Sequence, residues 1–313
     1  MLTLLSGDFD HEERACWQQA LSAACPQARW LDDRQARACA GLVRAAVVAR
    51  PAPGSLQGYP QLGLIQSLWA GVDRLLADPT LPVQVPLARM VDPAMNEAMA
   101  ETALWAVLSL QRRFFDYIAQ QRQAHWQPHP QRRADELRVG VLGLGQMGQT
   151  VARRLAANGY PVVGWASRER PLADGLEGAF GPRALPSLLA RSEVLINLLP
   201  LTPATRGVLA APLFGQLPPG AALVNLGRGA HLVEADLLAA LAGGQLRHAV
   251  LDVFASEPLP PAHAFWSHPQ VTVLPHVAAA TDPRSAAAVV AANLDALAAG
   301  RPLAHLVDRA RGY

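Results

Sequence analysis

The sequence predicts an α/β protein made of two doubly wound parallel-sheet domains. Three observations lead there. The chain of 313 residues is long enough for about two domains at roughly 150 residues each. Short apolar runs alternate with helical stretches in both halves, the order produced by parallel strands joined through crossover helices. Between the halves lies Gln127 to Arg133, a polar stretch broken by two prolines. With 51% hydrophobic and 17% charged residues, the chain can build packed cores and lacks the composition of a disordered protein.

In the first half, Leu2 to Leu5, Ala45 to Ala49 and Leu62 to Ser67 read as buried strands, and His11 to Ala24 as a helix. Ala94 to about Gln123 contains neither glycine nor proline and reads as one long helix able to bridge two domains. A second alternating pattern starts at Leu137. Its strands are Arg138 to Leu142, Pro161 to Trp165, Val194 to Leu198, Ala222 to Leu226, His248 to Val253 and Val271 to Leu274. After Asp282 an alanine-rich helix runs to Ala299.

Composition excludes several function classes. A net charge of +2 implies no nucleic-acid partner. All 27 basic residues are arginine, which removes Schiff-base chemistry, pyridoxal phosphate attachment and the P-loop lysine. Cys16, Cys25 and Cys39 have no metal-ligand spacing and, as an odd cluster, suggest reduced thiols in the cytoplasm. His125, His129, His263 and His268 form no metal-binding set. Asp8 and Asp10 interrupt the N-terminal apolar start, and no apolar stretch approaches the ~18 residues of a membrane span. A soluble cytoplasmic protein is expected.

The sharpest local signal is Val139-Gly140-Val141-Leu142-Gly143-Leu144-Gly145-Gln146-Met147-Gly148. A strand enters it and a helix, read as Gln149 to Ala157, leaves it. Gly143 permits the tight turn, Gly145 lets the backbone approach a pyrophosphate, and Gly148 lets the helix pack closely. Gln146 and Met147 between them belong to the same candidate cofactor site, where helix amides and dipole favour phosphate. The next strand runs into Ala166-Ser167-Arg168-Glu169-Arg170. An NAD site would place a carboxylate near Ala166 for the ribose 2′-hydroxyl. Ser167, Arg168 and Arg170 suit a 2′-phosphate instead, which favours NADP(H) and leaves NAD(H) as the alternative.

Three later segments carry chemistry: Val224-Asn225-Leu226-Gly227-Arg228-Gly229, Leu251-Asp252-Val253-Phe254-Ala255-Ser256-Glu257-Pro258, and Leu274-Pro275-His276-Val277. Arg228, Glu257 and His276 each stand at or just past the end of an expected strand, where open α/β sheets bind ligands. With the glycine loop and Leu199-Pro200-Leu201-Thr202-Pro203, these segments resemble the D-isomer-specific 2-hydroxyacid dehydrogenase family over essentially the whole chain. Bacterial reductases of small 2-oxo acids in that family are similar also at Val194 to Pro200, Glu234 to Leu241 and Val307 to Tyr313.

The resemblance implies a flavodoxin-like substrate domain from residues 1–100 and 285–313, and a Rossmann domain from 101–284. It implies NADPH-dependent reduction of glyoxylate to glycolate and hydroxypyruvate to D-glycerate, by a homodimer. Arg228 would hold the substrate and neutralise the charge growing on its ketone oxygen. His276 would donate the proton, and Glu257 would orient the imidazole and favour its protonated form. Related formate dehydrogenases carry glutamine in place of Glu257, so a carboxylate argues for proton transfer. Leu199, Pro200 and Leu226 would line the cofactor, with Asp252 facing its nicotinamide end. The turn at Trp69, Ala70 and Gly71 would bind the substrate carboxylate through backbone amides. Trp126 resembles a residue that reaches across a dimer interface, and could equally cap its own linker. One departure stands out: relatives often carry tryptophan where this chain reads Val47-Val48-Ala49-Arg50-Pro51. A wider pocket with Arg50 as an added anion contact keeps a bulkier 2-oxo acid open as the alternative. A non-catalytic nucleotide sensor is the other alternative, and the intact Arg228, Glu257 and His276 argue against it.

Overall fold

The computed structural model describes residues 1–313 and divides into two compact units, Met1–Met95 with Thr281–Tyr313, and Asn96–Ala280. In the first unit β1 (Leu2–Gly7), α1 (His11–Ala24), β2 (Arg29–Leu31), α2 (Asp33–Ala38), β3 (Val43–Ala49), β4 (Leu64–Ser67), α3 (Asp73–Leu76) and β5 (Leu87–Ala88) follow one another. The strands form a parallel sheet in the order β2-β1-β3-β4-β5. β3 is buried everywhere except Arg44, as a strand covered on both faces must be. α1 begins with a capping box, Asp10 accepting the Glu13 N–H while the Glu13 carboxylate accepts the Asp10 N–H. Asp32 and Gln35 repeat the device on α2. The edge strands β2 and β5 escaped the sequence reading. With three and two residues they are too short to show any period.

The second unit contains α4 (Pro93–Gln111) from Asn96 onward, α5 (Phe114–Arg122), β6 (Val139–Leu142), α6 (Gln146–Ala157), β7 (Val162–Ala166), β8 (Glu177–Phe180), α7 (Leu185–Leu189), β9 (Val194–Asn197), α8 (Ala211–Phe214), β10 (Ala221–Asn225), α9 (Glu234–Ala242), β11 (Leu246–Leu251) and β12 (Val271–Val273). Its parallel sheet runs β12-β11-β10-β9-β6-β7-β8. The order reverses between β6 and β9, which makes their carboxyl ends the crevice where doubly wound sheets bind ligands. One face packs Ala103, Ala106, Val107 and Leu110 of α4 against Val141, Ile196 and Val224. The other packs Leu213, Leu237 and Leu241 against Leu142, Leu195 and Leu223.

The single long helix expected from Ala94 to Gln123 is two helices. Arg113 breaks it with a φ of +59°, its Nε donating to Asp116 Oδ2 at 2.6 Å, and Phe115 stacks flat on the buried His248 ring at 4.5 Å. Tertiary packing turns the chain here without help from glycine or proline. Trp126 beyond α5 is 94% exposed, so it does not cap its own linker.

α10 (Pro283–Ala298) returns to the first unit, with Asp282 Oδ1 accepting the Arg284 N–H. The tail then runs beside β5, the Val307 N–H donating to the Leu87 carbonyl and the Arg89 N–H to that of His305. That covers an otherwise open sheet edge. No helix is long and apolar enough to cross a membrane. All three cysteines are free thiols.

Candidate active site

β6 ends in Gly143, whose φ of +103° is left-handed and where a Cβ would stand 2.7 Å from the Leu198 carbonyl oxygen in the loop after β9. Only glycine satisfies both demands. A Cβ at Gly148 would overlap the Gly143 carbonyl oxygen, so the first turn of α6 lies directly on the loop. α6 therefore starts at Gln146, one turn before the helix start read from the sequence. Gly145 is different. A Cβ there would meet no atom within 4 Å, and as N-cap of α6 it offers no side-chain hydrogen bond. The amides of Gln146 and Met147 thus open a helix beside empty space, at the positive end of its dipole. A pyrophosphate fits this cradle.

Arg170 folds back on the same loop. Its Nη1 donates to the Leu144 carbonyl at 3.2 Å, and its Nε is buried without a partner. Ser167 and Arg168 stand exposed past the end of β7, and Ala166 is buried. The glycine loop thus carries the Arg170 guanidinium, and the position where an NAD site would need a carboxylate is Ala166.

The loop after β9 is tied by Thr205, whose Oγ1 donates to the Pro200 carbonyl at 2.7 Å. The side chains of Leu199 and Leu226 belong to the core, so these two residues present only backbone to the crevice. After β10, Arg228 sits between two obligatory glycines. A Cβ at Gly227 would come 2.8 Å from Asn197 Nδ2, and one at Gly229 would overlap the Phe254 backbone. Three fully buried polar residues, Asn197, Asn225 and His231, surround this loop, and the sequence reading missed them. Their signal was present: each asparagine ends a strand that is apolar up to that point.

His276 follows β12 with a φ of +56°, a conformation rare for residues with a Cβ and concentrated at functional sites. Its Nδ1 lies 2.9 Å from Glu257 Oε2, while Glu257 Oε1 accepts the Phe254 N–H at 2.9 Å. A carboxylate only accepts, so Nδ1 carries hydrogen and Nε2 is the nitrogen turned away from Glu257. The His276 side chain is 51% exposed, open to a reactant. Phe254 joins the parts: its N–H holds Glu257, and its backbone is the surface against which Gly229 seats the Arg228 loop. Asp252 is buried, with Oδ1 accepting the Val277 N–H at 2.7 Å and Oδ2 the Ala278 N–H at 3.1 Å. Burial pushes its carboxyl above the ordinary range, against the pull of those two amides. It holds the two residues after His276 and so fixes the base of that ring.

In the first unit, Trp69, Ala70 and Gly71 form the turn between β4 and α3. Trp69 has its backbone engaged within the turn itself. Its N–H donates to Ser67 Oγ at 3.0 Å, its carbonyl accepts the Met90 N–H, and its indole packs edge-on against Trp17. Its hydrogen bonds are spent on shaping the turn, which leaves Ala70 and Gly71 as the amides able to meet a ligand. Arg50 follows β3 with a φ of +49° and is exposed. No group of His, Cys, Asp and Glu residues is arranged to hold a metal ion.

A doubly wound sheet with an open phosphate cradle and an acid–base pair past its strand ends defines a dinucleotide-dependent oxidoreductase. The model for the NAD-binding domain of D-isomer specific 2-hydroxyacid dehydrogenases matches residues 104–278, and the chain belongs to that family. It is 44% identical to glyoxylate/hydroxypyruvate reductase A of Serratia proteamaculans, over 97% of each chain. It is similar to the D-isomer specific 2-hydroxyacid dehydrogenase of Xanthobacter autotrophicus Py2 solved with NADPH and MES, at 38% identity and a TM-score of 0.93 over 99% of both chains. It is also similar to the NADPH-dependent glyoxylate/hydroxypyruvate reductase of Sinorhizobium meliloti solved with NADP and sulfate. There the identity is 36% and the TM-score 0.91, over 100% of this chain and 99% of that one.

Proposed function

We propose that the protein reduces small 2-oxo acids with NADPH, converting glyoxylate to glycolate and hydroxypyruvate to D-glycerate. The observation that carries this reading is the meeting of the Arg228 loop and the Glu257–His276 pair at the Phe254 backbone. When bound, the reduced nicotinamide supplies hydride to the ketone carbon. Arg228 draws the ketone oxygen by charge-assisted hydrogen bonds that strengthen as negative charge develops there. His276 delivers a proton from Nε2 to that oxygen, and Glu257 keeps Nδ1–H in place while the ring changes charge. Within the first unit, the amides of Ala70 and Gly71 suit a carboxylate.

The cradle of Gly143, Gly145, Gln146, Met147 and Gly148 suits the pyrophosphate, with Leu199, Pro200 and Leu226 offering backbone and Asp252 standing at the nicotinamide end. Ser167, Arg168 and Arg170 suit the 2′-phosphate. The NADP and NADPH complexes of the two similar structures support this choice. Three free thiols support a reducing, cytoplasmic setting. Trp105, Phe114, Ile118 and Trp126, left exposed along and just after α4 and α5, support a homodimer formed through the second unit.

The test is loss of reduced-nicotinamide absorbance with glyoxylate and hydroxypyruvate, comparing NADPH with NADH. Rapid oxidation of NADPH alone is expected. Activity confined to NADH overturns the arginine assignment, and no activity with either overturns the substrate. The small buried Ala49 beside exposed Arg50 favours a second reading, a bulkier 2-oxo acid. A higher kcat/KM for phenylpyruvate than for glyoxylate would establish it.

A further inference from the structure

We propose that His231 is a positioning residue. As a neutral ring protonated at Nε2, it sets the backbone of Arg228 and the Pro200 turn at a fixed spacing. The proposal rests on the reading of Arg228 as the substrate-holding residue.

Asn197 and Asn225 are register partners at the carboxyl ends of β9 and β10, and both are wholly buried, as is His231. Burying three polar side chains is costly unless their hydrogen bonds are made, and here they are. Asn197 Nδ2 donates to Asn225 Oδ1 and to His231 Nδ1, each at 2.9 Å. Asn197 Oδ1 accepts the Leu199 N–H, and Asn225 Oδ1 the Gly227 N–H, both at 3.3 Å. The main chain of Arg228 is gripped on both sides: its N–H donates to His231 Nδ1 at 3.2 Å, and its carbonyl accepts Asn225 Nδ2 at 3.2 Å. Apart from the Asn197–Asn225 bond, which joins the two strand ends, each bond reaches the segment carrying Arg228 and His231 or the loop carrying Pro200.

The partners decide the tautomer. A backbone N–H only donates, so Nδ1 must present its lone pair to Arg228. A backbone carbonyl only accepts, so Nε2, 3.2 Å from the Pro200 oxygen, must carry the hydrogen. One imidazole therefore ties the substrate loop at one nitrogen to the cofactor-side turn at the other. Gly227 has no side chain because one would intrude on this network, its Cβ 3.2 Å from His231 Nδ1.

Two substitutions separate the halves of the ring. In His231→Asn the side-chain oxygen takes the place of Nδ1 and keeps the Arg228 N–H, but nothing reaches Pro200. In His231→Gln the amide nitrogen takes the place of Nε2 and keeps Pro200, but Arg228 loses its acceptor. His231→Gln is expected to lower kcat/KM for glyoxylate by about tenfold with NADPH affinity little changed, the scale of one lost buried hydrogen bond. His231→Asn is expected to weaken NADPH by about the same factor and spare the glyoxylate KM. Nitrogen-15 NMR of the wild-type imidazole at neutral pH is expected to show the neutral ring with hydrogen on Nε2. An imidazolium or an Nδ1–H ring overturns the proposal. So do two variants whose losses match each other and follow only a fall in melting temperature. An inactive wild type showing the expected tautomer removes the reductase reading and leaves the network standing.

Discussion

Both units bury a pair of amide side chains against their sheets, and they use them for different ends. In the second unit Asn197 and Asn225 turn outward along the chain and bind the loops that follow, those of Pro200 and Arg228. In the first unit the comparable pair, Gln66 and Asn293, turns inward. Asn293 Nδ2 donates to Gln66 Oε1 at 2.7 Å and to the Ala304 carbonyl at 3.1 Å, tying α10 and the tail to the sheet. The loop after β4 is left with one side-chain anchor, Ser67 Oγ on Trp69. The same chemistry thus fixes the backbone of the loops after β9 and β10 in one unit and closes the fold in the other. Groups that must be held to a fraction of an ångström sit where buried polar bonds reach the loop backbone.

The comparison breaks most directly at His276. His276→Ala is expected to lower kcat by two to four orders of magnitude with the melting temperature unchanged, the range of a lost general acid. Steady-state kinetics beside a thermal melt checks it, and a nearly active variant would move the chemistry away from this edge.

A second expected effect lies inside the sheet of the second unit, away from its loops. Burial, with the neighbouring Arg247 charge, pushes His248 down to about 4. A depressed histidine is neutral when folded and takes up a proton when unfolded. Its contribution to stability is therefore full above the ordinary value near 6.5 and lost as pH falls toward 4. Denaturant titrations are expected to show a loss approaching about 3 kcal/mol across that window. His248→Phe, which keeps a flat ring against Phe115, should remove the slope; an unchanged slope would assign it to other groups.

Asn293→Ala tests the packing role of the first pair. It leaves Gln66 Oε1 and the Ala304 backbone without partners and is expected to cost about 2 kcal/mol in urea unfolding. The kcat should be unchanged, and a large fall in kcat would end the contrast between the units. The smallest effect is expected from Arg168→Ala with Arg170→Ala, about tenfold in the KM for NADPH with NADH unaltered. Equal weakening of both cofactors would remove the 2′-phosphate assignment.

Particular elements show how far the sequence can be read. His11–Ala24 is legible to the residue because its start is written in Asp10 and Glu13, a local code. The other strands, β1, β3, β4, β6, β7, β9, β10, β11 and β12, are legible as apolar runs, although their ends shift by one or two residues. β2, β5 and β8 are not legible, since a sheet edge of two to four residues is defined by the neighbour it pairs with. The break at Arg113 is likewise invisible, because packing and an ion pair cause it. Arg228, Glu257 and His276 could be singled out by residue type and order. The service of Asp252 to the His276 loop could not, nor could the loss of the Trp69 amide to Ser67.

By itself the sequence determined two parallel α/β units, the glycine loop and the residue types available for proton transfer and anion binding. These follow from periodicity, backbone freedom and side-chain chemistry, which act over a few residues. The tertiary structure alone decided which groups meet across the chain: the Phe254 backbone against Gly229, and His231 against Asn197 and Pro200. Hydrogen bonds between residues far apart in the chain depend on distances of a few tenths of an ångström, and those distances exist only after the strands have found their register.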